Sequence, residues 1–314
     1  MKLHSTFLIA SMFLFTIVFA NTATAQNKSP FIGRWDMVIS QEGKELPSWL
    51  EITLSGRSTL VGRFVYAFGS ARPIAEVKVK DGKFNFSIPV QWEPGTNDMK
   101  FEGELSGNDL IGSMIYSDGK KYSWKASRAQ AVPYNPTIVW GAPVALFNGE
   151  NLNGWSAMGA NQWIVENGIL KSPKSGANLV SDREFKNFKL HVEFKYPKGS
   201  NSGIYLRGRH EVQIEDNIGM EPSSLLLGGI YGFLTPNEMA AKAPGEWQTY
   251  DITLNGNRVS IVANGKAIIT EQTIPGITGG ALNSNEGEPG PILIQGDHGP
   301  IEFRSIVITP EMED

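Results

Sequence analysis

Polar and apolar side chains alternate along residues 203–216, which is the pattern of a β-strand with one apolar and one polar face. The apolar face would carry Ile204, Leu206, Val212 and Ile214, with an interruption near Gly208. The polar face would carry Tyr205, Arg207, Arg209, Glu211, Gln213 and Glu215. A strand that only faces water rarely needs so many charged and hydrogen-bonding groups in one row. We therefore predict the floor of a polar groove of the kind that binds sugars, with a solvated sheet face as the alternative.

The two glutamates of this row are too far apart for ordinary glycoside hydrolysis. Glu211 and Glu215 would lie about 13–14 Å apart on one strand, at about 3.4 Å per residue. The carboxyl pair of a glycosidase is about 5 Å apart in retaining enzymes and about 6.5–9.5 Å apart in inverting enzymes. Partners from the preceding strand, where His191 and Glu193 alternate onto the polar side, stay open. The row alone does not predict direct acid–base hydrolysis.

The start of the chain predicts a secretory signal peptide over residues 1–25. Lys2 precedes an apolar run from Phe7 to Ala20, and Ala23-Thr24-Ala25 fits the small-residue cleavage rule. The mature chain is expected to be exported, either periplasmic or secreted, and not inserted in a membrane. With 0 cysteines the chain has neither disulfides nor thiolate metal sites. A net charge of −4 without a basic run argues against a nucleic-acid partner.

Short strands separated by turn residues predict an all-β fold. Asn-Gly and Asp-Gly pairs, such as Asp81-Gly82 and Asn255-Gly256, are strong hairpin signals. We predict a smaller N-terminal antiparallel β-barrel or sandwich over residues 26–130, a linker over 131–136 and a concanavalin-like jelly-roll sandwich over 137–314. One N-terminal strand is predicted over residues 74–80. Gly33-Arg34-Trp35 is similar to the opening of lipocalin-like barrels.

The second part of the chain carries a series of sequence blocks in a fixed order. They are Leu146–Trp155, Trp163–Leu170, Phe188–Phe194, Asn201–Arg207, Glu211–Asp216, Gly245–Tyr250, Gln295–Gly299 and the last strand, Ile301–Ile306. In this order and spacing the blocks resemble the 3-keto-disaccharide hydrolase family. The resemblance covers only the C-terminal part of the chain.

The resemblance implies a concanavalin-like jelly roll that acts on glycosides whose 3-hydroxyl has been oxidised to a ketone. Such a ketone acidifies the hydrogen at C2, so a base can remove it and the enolate can expel the C1 substituent. Water then adds across the new double bond, unless the cleavage is a net hydrolysis. The route needs a base, an acid for the leaving group, and a cation or donor for the enolate oxygen.

The candidate residues follow from these requirements. The catalytic candidates are His298, Glu211 and Glu215 as bases or acids, and Arg207, together with Arg209, for the oxyanion. The substrate-binding candidates are Tyr205, Arg209, Gln213, Asn201, Tyr231 and Asp297. No cofactor is certain, and a divalent metal bound by Glu, Asp and His is an open alternative. Gly296 interrupts the Gln-Asp-His run expected in the family, which predicts a different direction for Asp297 and His298.

Several of these candidates also have a non-catalytic interpretation. His298 fits a hydrogen-bonded turn histidine, Arg207 fits a surface ion pair, and Glu215-Asp216-Asn217 fits a calcium site. At the level of the whole chain, a non-catalytic carbohydrate-binding or glycan-sensing module is the second hypothesis. A third hypothesis gives the N-terminal barrel a small apolar ligand.

Overall fold

The computed structural model describes residues 29–312. The predicted signal peptide, residues 1–25, lies outside the described residues. Within residues 29–312 the regular secondary structure consists of strands, and no helix there is long and apolar enough to cross a membrane. The predicted all-β class is confirmed.

The first half of the described chain forms nine strands. They are β1 (Gly33–Gln41), β2 (Lys44–Ser55), β3 (Thr59–Val65), β4 (Arg72–Ile74), β5 (Lys78–Lys80), β6 (Lys83–Ile88), β7 (Met99–Ser106), β8 (Asp109–Ile115) and β9 (Lys121–Arg128). They pair in one antiparallel sheet of order β4-β3-β2-β1-β9-β8-β7-β6-β5.

The strands β4 and β5 lie at opposite edges of this N-terminal sheet but follow each other in the chain. The sheet therefore curls so that its two edges come close together. The strand predicted over residues 74–80 is therefore wrong, since it is two edge strands with a turn between them. The turn forms because Val77 is buried and its N–H donates to Leu60 O at 2.7 Å. The apolar face of the sheet carries an aromatic-rich core that includes Trp35, Phe64 and Phe101.

The second half of the described chain forms thirteen strands. They are β10 (Val144–Ala145), β11 (Trp155–Ala157), β12 (Ile164–Glu166), β13 (Ile169–Ser172), β14 (Leu179–Phe185), β15 (Phe188–Lys195), β16 (Asn201–Leu206), β17 (His210–Glu215), β18 (Gln248–Asn255), β19 (Arg258–Ala263), β20 (Lys266–Thr273), β21 (Gly290–Ile294) and β22 (Ile301–Pro310).

These strands make two antiparallel sheets that pack face to face. The larger sheet has the order β12-β13-β22-β15-β18-β19-β20, with β10 paired to β22, and the smaller has the order β11-β14-β21-β16-β17. Val192 and Tyr250 from the larger sheet and Ile204 and Val212 from the smaller sheet belong to a single apolar core. The predicted jelly-roll sandwich is confirmed, and the face of the smaller sheet that points away from this core is available for a site.

The N-terminal sheet packs against the sandwich through the segment that follows β20, residues 274–289. Gly280 N–H donates to Ala67 O at 2.8 Å in the loop after β3. Trp49 of β2 packs edge-on against Phe233, with ring centroids 5.4 Å apart. The described residues from Phe31 onward thus form one compact unit, in which the loops after β3 and β6 reach the smaller sheet.

Candidate active site

A cavity of about 590 Å³ lies on the face of the smaller sheet that points away from the core. Strands β16 and β17 contribute Asn201, Tyr205, Glu211, Gln213 and Glu215. Other parts of the sandwich contribute Asn178, Leu225, Leu226, Tyr231, Gln295, Asp297 and His298. The N-terminal sheet contributes Phe68, Gln91 and Trp92. Every catalytic and substrate-binding candidate of the sequence lines this cavity, except Arg207 and Arg209. The volume lies within the range of about 300–1,000 Å³ that is usual for sites of small organic ligands.

The polar row that the sequence predicts on one strand is a β-hairpin. β16 ends at Leu206, and β17 begins at His210 and returns antiparallel to it. The chain reverses at Arg207 and Gly208, whose φ angles of 52° and 64° lie in the left-handed region used by tight hairpin turns. The prediction of a single strand is wrong because side chains alternate with the same period on both arms of a hairpin, so the reversal leaves the pattern unchanged.

The hairpin brings the polar groups closer together than one strand would. Tyr205 lies opposite Glu211, and Asn201 lies opposite Glu215, in the register of β16 and β17. Side chains in such directly opposed pairs are about 5 Å apart at Cβ. The predicted polar face is thus a compact patch two strands wide, while the apolar face of both strands packs into the core.

Arg207 and Arg209 lie in the hairpin turn and outside the cavity, so their predicted place in the groove is wrong. Arg207 is fully buried, and its Nη2 donates to Gly256 O at 3.0 Å. Arg209 donates from Nε to Asn283 Oδ1 at 2.8 Å and from Nη1 to Glu288 O at 2.7 Å. Burial lowers the pKa of Arg207 to about 10. Both arginines fix the turn and the segment behind it.

Glu211 is a buried carboxyl on the floor of the cavity. Burial raises its pKa to about 8, against the opposing influences of a hydrogen bond with the Tyr205 hydroxyl and the charge of His298. Its backbone N–H donates to Thr278 Oγ1 at 3.0 Å. A Cβ at Gly203 would collide with Glu211 Oε1, so the missing side chain at Gly203 makes room for the carboxyl. At neutral pH Glu211 therefore holds its proton in most molecules.

Asp297 and His298 form a hydrogen-bonded pair at the edge of the cavity. Asp297 Oδ1 lies 2.6 Å from His298 Nδ1, and both side chains are about half-exposed. This hydrogen bond is the main reason why the pKa of His298 is raised. An Nδ1–H that donates to Asp297 leaves Nε2 as the proton acceptor of the ring. Gly296 does not turn either side chain out of the cavity; it is needed because a Cβ there would collide with Ala177 O.

Further hydrogen-bonding groups surround Glu211. The Tyr205 hydroxyl donates to Gly279 O at 3.0 Å, and burial raises the Tyr205 pKa well above its ordinary value. Burial also raises the pKa of Glu215 and that of Tyr231. The floor of the cavity therefore combines carboxyls and hydroxyls whose pKa values burial raises.

A family model described as the 3-keto-alpha-glucoside-1,2-lyase-like domain matches residues 142–309, more than half of the chain. The chain belongs to this family. The resemblance predicted for the C-terminal part of the sequence is confirmed. The match begins after the N-terminal sheet, so that sheet lies outside the family domain.

Individual relatives cover smaller parts of the chain. A 3-keto-disaccharide hydrolase from Bacteroides thetaiotaomicron is 34% identical over 89 residues, which cover 24% of this chain and 30% of that protein. The chain thus spans less than a third of the length of this curated relative. A solved structure from Parabacteroides distasonis, named as a proposed glycosyl hydrolase, is 27% identical and covers 56% of this chain and 92% of that one, with a TM-score of 0.47. Another of the same name and organism is 25% identical over 54% of this chain and 98% of that one, with a TM-score of 0.42.

Two glutamines of the 3-keto-alpha-glucoside-1,2-lyase-like domain that line the cavity have unpaired side-chain oxygens. Gln213 Oε1 and Gln295 Oε1 are buried and have no hydrogen-bond partner, and both residues line the cavity. A buried amide oxygen without a partner is unfavourable. Sequence reasoning identified Gln213 but missed Gln295, although Gln295 stands in the same matched block as His298.

Two residues that the sequence left open as partners of the polar row lie outside the cavity. His191 and Glu193 lie on β15, on the outer face of the larger sheet, where His191 Nδ1 is 2.7 Å from Asp251 Oδ1. Glu193 accepts from Arg304 Nε at 2.5 Å. Neither residue lines the cavity, because β15 and β16 belong to opposite sheets.

No group of three His, Cys, Asp or Glu side chains in residues 29–312 lies close enough together to bind a metal ion. A divalent metal at the cavity would therefore need further ligands from the substrate or from water.

Proposed function

We propose that this chain cleaves the glycosidic bond of 3-keto-glucosides, by removal of the C2 proton and elimination of the C1 substituent, followed by hydration. The observation that carries the proposal is that a proton donor and a proton acceptor face the same cavity. Glu211 is buried with a pKa of about 8, and His298 has its Nδ1 bonded to Asp297. The family match and the name of the Bacteroides relative support the substrate class.

His298 is the base in this proposal. Asp297 orients the ring and favours the tautomer with the proton on Nδ1, so Nε2 accepts the C2 proton. The 3-keto group makes this possible, because the negative charge that develops at C2 is delocalised onto the C3 oxygen. An unoxidised glucoside has no such electron sink and is not a substrate for this route.

Glu211 is the acid that protonates the leaving oxygen. Its proton is retained at neutral pH because the carboxyl is buried. The Tyr205 hydroxyl, which lies opposite Glu211 in the hairpin and is held by Gly279 O at 3.0 Å, helps to orient the carboxyl. A buried carboxyl with a raised pKa is a common device for a general acid at neutral pH.

Amide groups, and not the two arginines, donate hydrogen bonds to the enolate oxygen in this proposal. Asn178 lines the cavity, and its Oδ1 accepts from Gly296 N–H at 2.9 Å, which leaves the Nδ2 protons for an oxygen of the substrate. Asn201 offers a second amide on the same floor. We assign these donors to the C3 oxygen, where they stabilise the enolate.

The cycle balances in two steps. In the first, the C2–H electron pair becomes the C1–C2 double bond while the C1–O bond breaks; His298 gains the C2 proton and Glu211 gives its proton to the leaving alcohol. In the second, Glu211 takes a proton from water as the hydroxyl adds to C1, and His298 returns a proton to C2. The net reaction consumes one water and yields the alcohol and 3-keto-glucose.

The test uses the purified mature protein with a 3-keto-glucoside that carries a chromogenic nitrophenol, beside the parent glucoside. We expect release from the keto sugar alone, and deuterium at C2 of the product when the reaction runs in heavy water. Release from the parent glucoside without C2 exchange would overturn the mechanism. No release from either, with sugar binding seen by calorimetry, would favour the non-catalytic binding module.

Two variants separate the roles of the acid and the base. Glu211→Gln should lose activity on a 3-keto-disaccharide by about 10²–10⁴-fold, but should keep much of its activity on the nitrophenyl substrate, whose leaving group needs no proton. His298→Gln should lose both activities and the C2 exchange. Glu286→Gln, at a buried carboxyl of similarly raised pKa outside the cavity, and His191→Gln, at an Asp–His pair outside it, are the matched controls and should retain activity.

A further inference from the structure

The N-terminal sheet, which lies outside the family domain, supplies one wall of the cavity. Phe68 stands in the loop between β3 and β4, and Gln91 and Trp92 stand in the loop between β6 and β7. All three line the same cavity as Glu211 and His298. The reacting groups thus come from the sandwich, and a largely aromatic wall comes from another sheet.

A buried ion pair holds the loop that carries Trp92. Arg72 Nη2 lies 2.7 Å from Glu93 Oε1, and both side chains are buried. Glu93 Oε2 also accepts the backbone N–H of Gln91 at 2.7 Å and that of Trp92 at 3.2 Å. Burial acts to raise the pKa of Glu93, but the Gln91 N–H and the Arg72 guanidinium outweigh it and hold the pKa below its ordinary value. The carboxylate is therefore charged and fixes the backbone at Trp92.

A second contact ties this loop to the loop after β3. Gln91 Oε1 accepts from the backbone N–H of Ser70 at 3.0 Å, and Gln91 Nε2 donates to Ser70 Oγ at 3.0 Å. The loop of Phe68 and the loop of Trp92 are thereby held side by side. The wall is rigid before any ligand binds, so little ordering opposes ligand binding.

Trp92 is exposed in a way that the fold alone does not explain. Its side chain is 69% exposed, more than any other large apolar side chain in residues 29–312. Apolar surface left in water is unfavourable by roughly 25 cal/mol per Å². Its neighbour across the cavity is Tyr231, whose hydroxyl interacts with the Trp92 indole. A buried ion pair that presents an exposed indole at a sugar-sized cavity indicates a surface built to receive a ring.

We propose that Trp92 is the platform on which the leaving-group half of the glycoside stacks, by the apolar C–H face of a pyranose or by an aromatic aglycone. The reacting 3-keto ring must lie on the floor, against Glu211 and His298, so the wall receives what is attached at C1. Phe68 extends the same platform. This inference rests on the proposed function and assigns the N-terminal sheet the choice of leaving group.

The test compares two substrates in Trp92→Ala. One is a 3-keto-disaccharide, whose second ring would stack, and the other is methyl 3-keto-glucoside, whose leaving group has no ring. We expect kcat/KM for the disaccharide to fall about tenfold or more, the effect of losing one stacking contact, chiefly through KM. We expect no more than a twofold change for the methyl glycoside, and partial recovery in Trp92→Phe. Ile111→Ala, an exposed apolar residue of the same sheet outside the cavity, is the control.

Failure of this inference can be told apart from failure of the proposed function. Equal losses on both substrates, or none on either, in a wild-type protein that cleaves both would overturn the platform. If the wild type cleaves neither, calorimetry with the unoxidised disaccharide still decides, since Trp92→Ala should weaken its binding about tenfold. Binding that is the same in the wild type and the variant would contradict the inference.

Discussion

Glu211 and His298 line the same cavity, but the pKa of each group is raised by a different cause. Glu211 keeps its proton because water is excluded from it, and His298 is half-exposed and paired with a carboxylate. Asp297 is the reason why the pKa of His298 rises, and burial is the reason why the pKa of Glu211 rises. Both shifts move the groups toward the pH at which the enzyme would act.

The rate of cleavage should pass through a maximum in pH. His298 must be neutral to accept a proton, so the rate falls as the pH drops below its pKa, which is raised above 6.5. Glu211 must be protonated to donate, so the rate falls as the pH rises above about 8. The measurement is kcat/KM for a 3-keto-disaccharide from about pH 5 to about pH 10. With the nitrophenyl substrate, whose leaving group needs no proton, the wild type should lack the alkaline limb; an alkaline limb of unchanged position with that substrate would contradict the assignment.

Gly203 gives a second prediction, because the missing side chain makes room for the Glu211 carboxyl. In Gly203→Ala the new methyl group would displace the carboxyl. The atom displaced is the end of a flexible side chain, so the thermal unfolding temperature should change little while activity on a 3-keto-disaccharide falls about tenfold or more. Loss of folding together with activity would mean that Gly203 serves the strand and not the carboxyl.

At the scale of elements, the hairpin of β16 and β17 and the loop between β6 and β7 form the site together. The hairpin supplies Glu211, and its backbone is paired on both sides, to β21 and to the turn at residues 228–231. The loop has no regular structure of its own, and the Arg72–Glu93 ion pair takes the place of strand pairing. Its position therefore depends on this ion pair and on the hydrogen bonds of Gln91 and Glu93.

Removal of Arg72 should loosen that loop. Arg72→Met leaves Glu93 buried without its partner, which is unfavourable by about 3–5 kcal/mol. Urea unfolding measures this loss, and the KM for a 3-keto-disaccharide should rise while kcat changes little. The double variant Arg72→Met, Glu93→Gln should recover much of the stability. Losses that simply add in the double variant would show that the two side chains do not act as a pair.

The arrangement of strands and loops also explains which residues of the site could be predicted from the sequence. Alternation identified both faces of β16 and β17, and the matched blocks identified Glu211 and His298. The reversal at Arg207 was hidden because side-chain alternation continues through it, so two turn arginines were assigned to the groove. Trp92 and Phe68 carry no local signal at all, since they reach the cavity only through the packing of one sheet against another, which no periodicity records.

At the scale of the whole molecule, several buried carboxyls hold protons that the unfolded chain would release. Burial raises the pKa of Asp36 from 3.8 to about 7, and burial raises the pKa of Glu286 and of Glu211 from 4.5 to about 8. Asp36 Oδ1 and Glu286 Oε1 also lack hydrogen-bond partners. Two of these groups, Asp36 and Glu286, interact with Arg209 where the N-terminal sheet meets the hairpin turn.

Stability should therefore fall as the pH rises. Between the unfolded and folded pKa values the folded state binds the proton and the unfolded state does not, so the free energy of unfolding decreases with pH in the window from about 4 to about 8. Each group contributes at most about 1.4 kcal/mol per pH unit. Urea unfolding at intervals across this window measures the slope. Glu286→Gln should make the slope shallower, and Glu238→Gln, at a surface ion pair, should not; equal slopes in both variants would contradict the prediction.

The position of β22 in the larger sheet affects the order in which the parts of the molecule fold. The strand nearest the C-terminal end of the chain, Ile301–Pro310, lies in the middle of that sheet, between β13 and β15. All nine strands of the N-terminal sheet lie within residues 33–128, but β15 lacks one of its two neighbours until a strand more than a hundred residues downstream has docked. Contacts of such long sequence separation form late. The sheet that carries the aromatic wall therefore forms before the sandwich that carries Glu211 and His298 is complete, so the reaction site is assembled at the end of folding.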